Sequence, residues 1–374
     1  MSGESTMRLR GMIRKEIWQI VRDPSSIAIA FILPVVLLYI FGYGVSLDAK
    51  HIPIGVVAER PDIITQSLTG SFARSEYFDP ITFNSIQEAE QAIRERQIDG
   101  IVWMRNNFSA DLQAGLSAPV NIIVNGVDSN QANITGGYIQ GVWLAWLTHF
   151  AELKKISVSQ PVGIEQRVWF NSALSSRLFL VPGVIAVIMT IIGSLLTAMV
   201  VAREWERGTM EALMVTPLRM SEMLAGKLIP YFILGMGSML LSVTLAHFQF
   251  DVPLRGSFWL LTLASALFMM VSLMIGLLIS IIAKNQFVAG QMAIIVTFLP
   301  AFLLSGFLFD INSMPVVVQA VTYLVPSRYF VSLMQTLFLA GDVSQVVIIN
   351  LLSLLAMLLF FTVLVSRSFH KRLE

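Results

Sequence analysis

A charge-dense run of nine residues, Arg203-Glu204-Trp205-Glu206-Arg207-Gly208-Thr209-Met210-Glu211, follows directly on an uncharged apolar stretch. Such a run offers a charge-dense helical knob to a soluble protein partner; the alternative is a solvated turn whose charges only satisfy topology. A second set of polar groups lies within apolar runs: Thr190, Ser194, Thr197, Ser238 and Ser242. These hydroxyls suit a lipophilic or amphipathic cargo better than a bare ion, while the plainer reading of each one singly is helix-to-helix packing. Bond-making chemistry has no candidate. The chain has no cysteine, no HExxH and no Cys/His zinc spacing, so no metal ligands are assigned. It also lacks a GxSxG elbow and a pair of intramembrane aspartates, so no catalytic residue is assigned. A phosphate-binding GxxxxGK[ST] loop is missing as well. If the protein does directed work, another subunit must supply the energy.

The elements that hold these residues are set by composition. Apolar residues make up 55% of 374 and charged residues 13%, with a mean hydropathy of +0.72, as expected of a chain that uses lipid as solvent. A net charge of +1 argues against nucleic acid as a partner. Crossing a bilayer takes about 20 helical residues, and uncharged runs of that order occur at 27–45, 178–202, 228–246, 257–283, 287–309 and 343–365. The apolar stretch 314–339 is interrupted by Pro315, Pro326 and Arg328 and reads as two short helices dipping into the outer face. None of the six runs carries Asp, Glu, Lys or Arg near its middle, which argues against coupling to an ion gradient.

Orientation follows from the short loops. Arg8, Arg10, Arg14, Lys15, Arg22, Arg203, Arg207, Arg219, Lys227, Lys284, Arg367, Lys371 and Arg372 fall on one side, against Arg255 and Arg328 in the short loops of the other. The positive-inside rule therefore places both termini in the cytoplasm. Before the first span, Leu9, Met12, Ile13, Ile17, Ile20 and Val21 recur at helical spacing, with Arg8, Arg14, Lys15, Glu16 and Arg22 elsewhere around the helix. This describes an interfacial amphipathic helix, broken at Asp23-Pro24-Ser25, or else a frayed basic tail.

Between the first two spans lie about 130 residues of ordinary composition, too many for a loop without structure of its own. Strands are expected at 52–57, 81–83, 98–104 and 120–124, alternating with helices such as 86–97, capped by Ser85 and Glu88. The result is a small α/β domain on the external side. A long helix over 131–153 carries Tyr138, Trp143, Trp146 and Phe150, suited to headgroup anchoring or to lining a lipophile groove.

The stretch Arg203 to Leu218, followed by Gly226-Lys227-Leu228-Ile229-Pro230-Tyr231, closely resembles the coupling-helix signature of ABC type-2 exporter permeases. The likeness continues at Arg22-Asp23-Pro24 with Gly42-Tyr43-Gly44, at Asn107-Phe108-Ser109 through Gly115, at Leu304-Ser305-Gly306-Phe307 with Met314-Pro315, and at Val325-Pro326-Ser327-Arg328-Tyr329. It runs over nearly the whole chain in the family's order.

The resemblance implies an α-helical polytopic membrane protein with six transmembrane helices and an α/β periplasmic domain inserted between helices 1 and 2. An elbow helix then occupies 1–26, the first span 27–47, the external domain 48–177 and the remaining spans 178–374, with a coupling helix at 203–222 and re-entrant helices at about 312–340. It further implies a bacterial inner-membrane dimer, of identical or paralogous permeases. Each protomer would dock a separate ABC ATP-binding subunit, which holds ATP and Mg, while this chain binds no cofactor. The implied docking surface is Glu204, Glu206, Arg207, Gly208, Thr209, Glu211 and Leu213, beside elbow residues Lys15, Glu16, Arg22 and Asp23. Members with an external domain this large often hand substrate to a periplasmic adaptor. The leading expectation is export of a drug-like or lipid-like compound; its rival is a non-transporting sensor or assembly scaffold that recruits a cytosolic ATPase.

Overall fold

The computed structural model describes residues 3–44, 51–114, 116, 118–125, 129–154, 176–210, 215–216 and 219–368. Contacts divide the chain into two units, Met1–Ser46 with Val168–Glu374, and Leu47–Arg167.

In the first unit, six helices among the described residues are long and apolar enough to cross a membrane: Pro24–Gly44, Ser176–Glu206, Ser221–Phe248, Phe258–Ala283, Gln286–Leu304 and Ser344–Ser368. The second of these is the hub: its apolar core is 83% buried inside the protein, against 28% for the first, 22% for the fifth and 11% for the sixth. Three of the spans thus leave most of their surface for lipid or for another chain. The fifth span stops at Leu304, short of the expected Phe309, because Ser305 breaks the helix and Gly306 takes a left-handed φ of 84°. The Pro-interrupted stretch forms two helices, Val316–Thr322 and one that starts at Pro326 and runs to Ala340, bent by 85°. Pro315 and Pro326 each sit where a helix begins, positions that lose no hydrogen bond to the missing N–H.

Small residues let the second and fourth spans approach backbone to backbone. A Cβ on Gly193 would lie 2.5 Å from that of Ser272, and one on Gly276 would collide with Thr197 and the main chain of Ser194. Two hydrogen bonds cross the same seam: Thr197 Oγ1 donates to the Leu273 carbonyl at 3.1 Å, and the Ala202 N–H donates to Ser280 Oγ at 2.8 Å.

The second unit is a four-stranded sheet in the order β2-β1-β3-β4, with β1 Ile52–Ala58, β2 Phe78–Phe83, β3 Gly100–Met104 and β4 Val120–Val124. β1 pairs in parallel with β2 and β3, and β4 runs antiparallel to β3. Helices Ile63–Arg74 and Ile86–Arg94 make the parallel crossovers. Ser85 caps the second of these by accepting from the Glu88 N–H at 3.3 Å, while Glu88 reaches back to the Asn84 N–H rather than to that of Ser85. The long helix covers Ser129–Lys154. Its aromatics pack into their own unit's core: Tyr138 packs on Tyr77 and Trp143 on Phe108, and Trp146 is buried and donates to Ser67 Oγ at 3.1 Å.

Candidate functional site

The elbow helix spans Gly3–Val21 and lies along the start of the third span's helix, which runs from Met220. Gly226 permits the contact, since a Cβ there would stand 2.5 Å from the Met12 side chain. The buried row of the elbow reads Met12, Glu16, Ile20, while Ile17, Trp18 and Val21 are exposed. The sequence pattern alone puts Glu16 among the polar positions and Ile17 and Val21 on the apolar stripe. Glu16 goes inside instead because two lysines meet it there.

Those lysines belong to a closed cluster of ions. Lys227 Nζ, 1% exposed, lies 3.3 Å from Glu16 and 2.7 Å from Glu204. Lys15 bridges the same two carboxylates, 3.0 Å from Glu16 and in contact with Glu204. Two positive and two negative groups therefore tie the elbow, the end of the second span and the start of the third, which satisfies the condition for burying charge. Burial pulls the Lys15 ammonium down, but Glu16 and Glu204 outweigh it and hold the group above its ordinary value.

A second pair stands beside the cluster, with Arg203 Nη2 2.9 Å from Asp23. Asp23 also accepts from the N–H of Ser25 at 3.1 Å and the hydroxyl of Ser26 at 2.9 Å, which starts the first span. Burial alone would raise its carboxyl, but the bonds from Ser25, Ser26 and Arg203 prevail and hold it at about 2. Farther along the elbow, Glu222 accepts from Ser5 at 2.5 Å, lies 3.5 Å from Arg8 and takes the Arg219 N–H at 2.9 Å.

The residues expected at a docking surface separate by depth. Glu204 is only 3% exposed and committed to lysines, whereas Glu206, Arg207, Gly208 and Thr209 are exposed. Arg22 is also exposed and lies over the Trp18 ring at 5.5 Å. Glu206 accepts from the Gln286 N–H at 3.3 Å, at the first turn of the fifth span. Gly208 has a φ of 68°, and the Thr209 hydroxyl donates back to the Glu204 carbonyl at 3.3 Å, so Thr209 closes the second span's helix. Glu211 and Leu213, and the expected loop end at Pro217, lie outside the described residues. A cavity of about 360 Å³ opens here, lined by Lys15, Gln19, Arg203, Glu204, Arg207, Thr209 and Thr216.

The intramembrane hydroxyls also divide. Thr190 and Ser194 line a second cavity of about 310 Å³, together with Phe268, Ser272, Thr297, Pro326, Ser327 and Phe361. Thr197 is held in the seam between the second and fourth spans, and Ser238 and Ser242 are buried on the third. Lys227 is the site member that the sequence pattern does not reveal, since by position it counts only toward topology. Its one signal is a lone lysine at the margin of an apolar run, with Glu16 at the matching depth of the elbow.

The chain matches the family model described as ABC-2 family transporter protein over residues 24–367. It is 42% identical to the probable multidrug ABC transporter permease YbhS of Escherichia coli K12, over 99% of this chain and 98% of that protein. It is 30% identical to the probable multidrug ABC transporter permease YbhR of the same organism, over 89% and 90% of the two chains. Likeness to the E. coli inner membrane transport permease YhhJ is 28%, over 84% of each.

Proposed function

The chain belongs to the ABC-2 family of transporter permeases, and from that premise we propose that it exports a lipophilic or amphipathic compound across a bacterial inner membrane, driven by a separate ATP-binding subunit. That subunit holds ATP and Mg, and this chain does no hydrolysis. Two permeases, identical or paralogous, form the pathway. The basic loops keep both termini in the cytoplasm, so Leu47–Arg167 forms a periplasmic domain, where an adaptor can receive the cargo.

One observation carries this reading: the exposed residues Glu206 to Thr209 stand on a base locked by buried ions. A partner that engages Glu206, Arg207, Gly208 and Thr209, with Glu211 and Leu213 beyond them, gains a grip on three elements at once. Lys15, Glu16, Asp23 and Glu204 hold the elbow and the second and third spans together, so a push at the loop moves them jointly instead of bending one helix end. The cavity beside the loop, with Arg203, Arg207 and Lys15 on its wall, suits an acidic side chain of the partner. Thr190 and Ser194 lie where a cargo can reach them.

The test is a vesicle assay of the permease with its ATPase against a panel of lipophilic compounds. Export requires ATP-dependent accumulation inside inverted vesicles and hydrolysis that responds to the same compounds. Co-purification without any ATPase, or an ATPase that binds while no compound moves, points to a sensor or scaffold.

A further inference from the structure

We infer that the cavity among the second, fourth, fifth and sixth spans and the bent helix pair is a binding site for an uncharged lipophile that presents a carbonyl or ether oxygen. This rests on the export reading and specifies the cargo's chemistry. The volume of about 310 Å³ is that of a small ligand site. Its wall is apolar apart from hydroxyls, and no Asp, Glu, Lys or Arg contributes to it among the described residues.

The hydroxyls are not equivalent. Thr190 donates to the Ala186 carbonyl at 2.9 Å, and Thr297 donates to that of Ala293 at 2.6 Å. Ser194 lies 2.6 Å from both the Thr190 carbonyl and Thr297 Oγ1. Ser327 differs: it is 1% exposed, it lines the cavity, and its hydroxyl has no partner. A buried donor without an acceptor is a standing cost that a ligand oxygen removes.

The backbone points the same way. Ser327 is in the first turn of the helix that opens at Pro326, and no side chain caps that helix. Pro326 has no N–H and the Arg328 N–H donates to the Val325 carbonyl at 3.1 Å, so what this helix start offers is the positive end of its dipole, which favours oxygen and disfavours cations. Discontinuous helices in transporters direct their starts at ligand oxygens in this manner. Arg328 does not reverse the polarity of the site, since its guanidinium lies 3.7 Å over the Tyr323 ring and donates to Thr322 and to the Gln319 carbonyl.

Benzophenone is a suitable probe, being uncharged, lipophilic and photoreactive at its carbonyl. Irradiated with the intact permease in nanodiscs, without ATPase or ATP, it should label peptides containing Phe268, Thr297 and Ser327 saturably. Ser327→Ala should weaken apparent binding about fivefold, the worth of one hydrogen bond. Ser272→Phe, which fills the cavity, should abolish saturable labelling. Diphenylmethane, of the same shape without the oxygen, should compete about fivefold less well than benzophenone, and protonated aminodiphenylmethane less well again. Should Ser272→Phe fail to fold, Ser327→Ala and the competitors still decide. Labelling that is unsaturable and spread over the lipid-facing spans overturns the proposal. So does labelling indifferent to Ser327→Ala, or labelling seen only after bilayer lipid is stripped away, which would make lipid the occupant. Loss of the site with ATP-driven efflux intact overturns this site alone. Saturable binding without any efflux by the full complex overturns the export reading instead.

Discussion

Lys227 Nζ and Glu204 lie 2.7 Å apart with both side chains sealed from solvent, one at the start of the third span and the other at the end of the second. Neither charge would be stable there alone. With Glu16 and Lys15 they form a neutral quartet, so the elbow is joined to two spans by charge balance rather than by apolar contact only. The geometry turns a seam between three helices into an all-or-none contact.

Lys227→Met should therefore be far more damaging than its surface chemistry suggests. It leaves two buried carboxylates facing one half-exposed lysine, a loss of about 3–5 kcal/mol for breaking a buried pair. Thermal unfolding in detergent should show it as a large fall in Tm. The double variant Lys227→Met with Glu204→Gln restores the charge count and should recover part of the loss. Equal Tm values for the two variants would show that packing, not charge, holds the seam.

Two glycine replacements should move in opposite directions. At Gly276 a methyl group meets Thr197 and the Ser194 backbone, which cannot move aside, so Gly276→Ala should cost about 1–3 kcal/mol and lie at the upper end. Gly141, exposed on the helix Ser129–Lys154, has nothing within 4 Å of a Cβ. Gly141→Ala should stabilise its unit by about 0.4–1 kcal/mol through the unfolded chain. Calorimetry of the two variants checks both signs.

The six spans were legible because an uncharged run of about 20 residues is long enough to cross a bilayer and too apolar to be held in water. The strands of the second unit were legible because β1 and β3 are short apolar runs bounded by turns. The site was legible only in part. Periodicity assigns Glu16 to the polar side of the elbow, since a pattern of one helix cannot show that a lysine from a helix more than two hundred residues away will neutralise it. Glu204 looks like its exposed neighbour Glu206 for the same reason. In sequence the aromatic row of Tyr138, Trp143, Trp146 and Phe150 suits headgroup anchoring or a lipophile groove. That the row packs into a core shows only once the sheet is in place.

Acid should loosen the elbow through Asp23. Its carboxyl is held at about 2 in the folded protein, below its ordinary 3.8, so the folded state binds fewer protons. The stabilisation is complete above about pH 4 and is lost as pH falls toward 2. Unfolding followed between pH 5 and 2 should show a steeper loss in the wild type than in Asp23→Asn, which already lacks the charge that pairs with Arg203. Parallel curves for the two proteins would assign the pH dependence to other carboxylates.

The loop after the second span offers the sharpest test of coupling, because backbone and side-chain effects separate at Gly208. Its φ of 68° is left-handed, yet a Cβ there would touch nothing within 4 Å, so only the backbone constrains the residue. Asn enters this region readily and a β-branched residue does not. Gly208→Asn should therefore keep most ATP-driven efflux, while Gly208→Val should shift the exposed Thr209 and Arg207 and lose it at least tenfold, with folding unchanged because the quartet beneath is untouched. Measuring ATPase association alongside efflux distinguishes the causes: lost association places the fault at the docking surface, and retained association with lost efflux places it in transmission to the spans. Equal efflux from both variants would mean that the turn at Gly208 has no part in coupling.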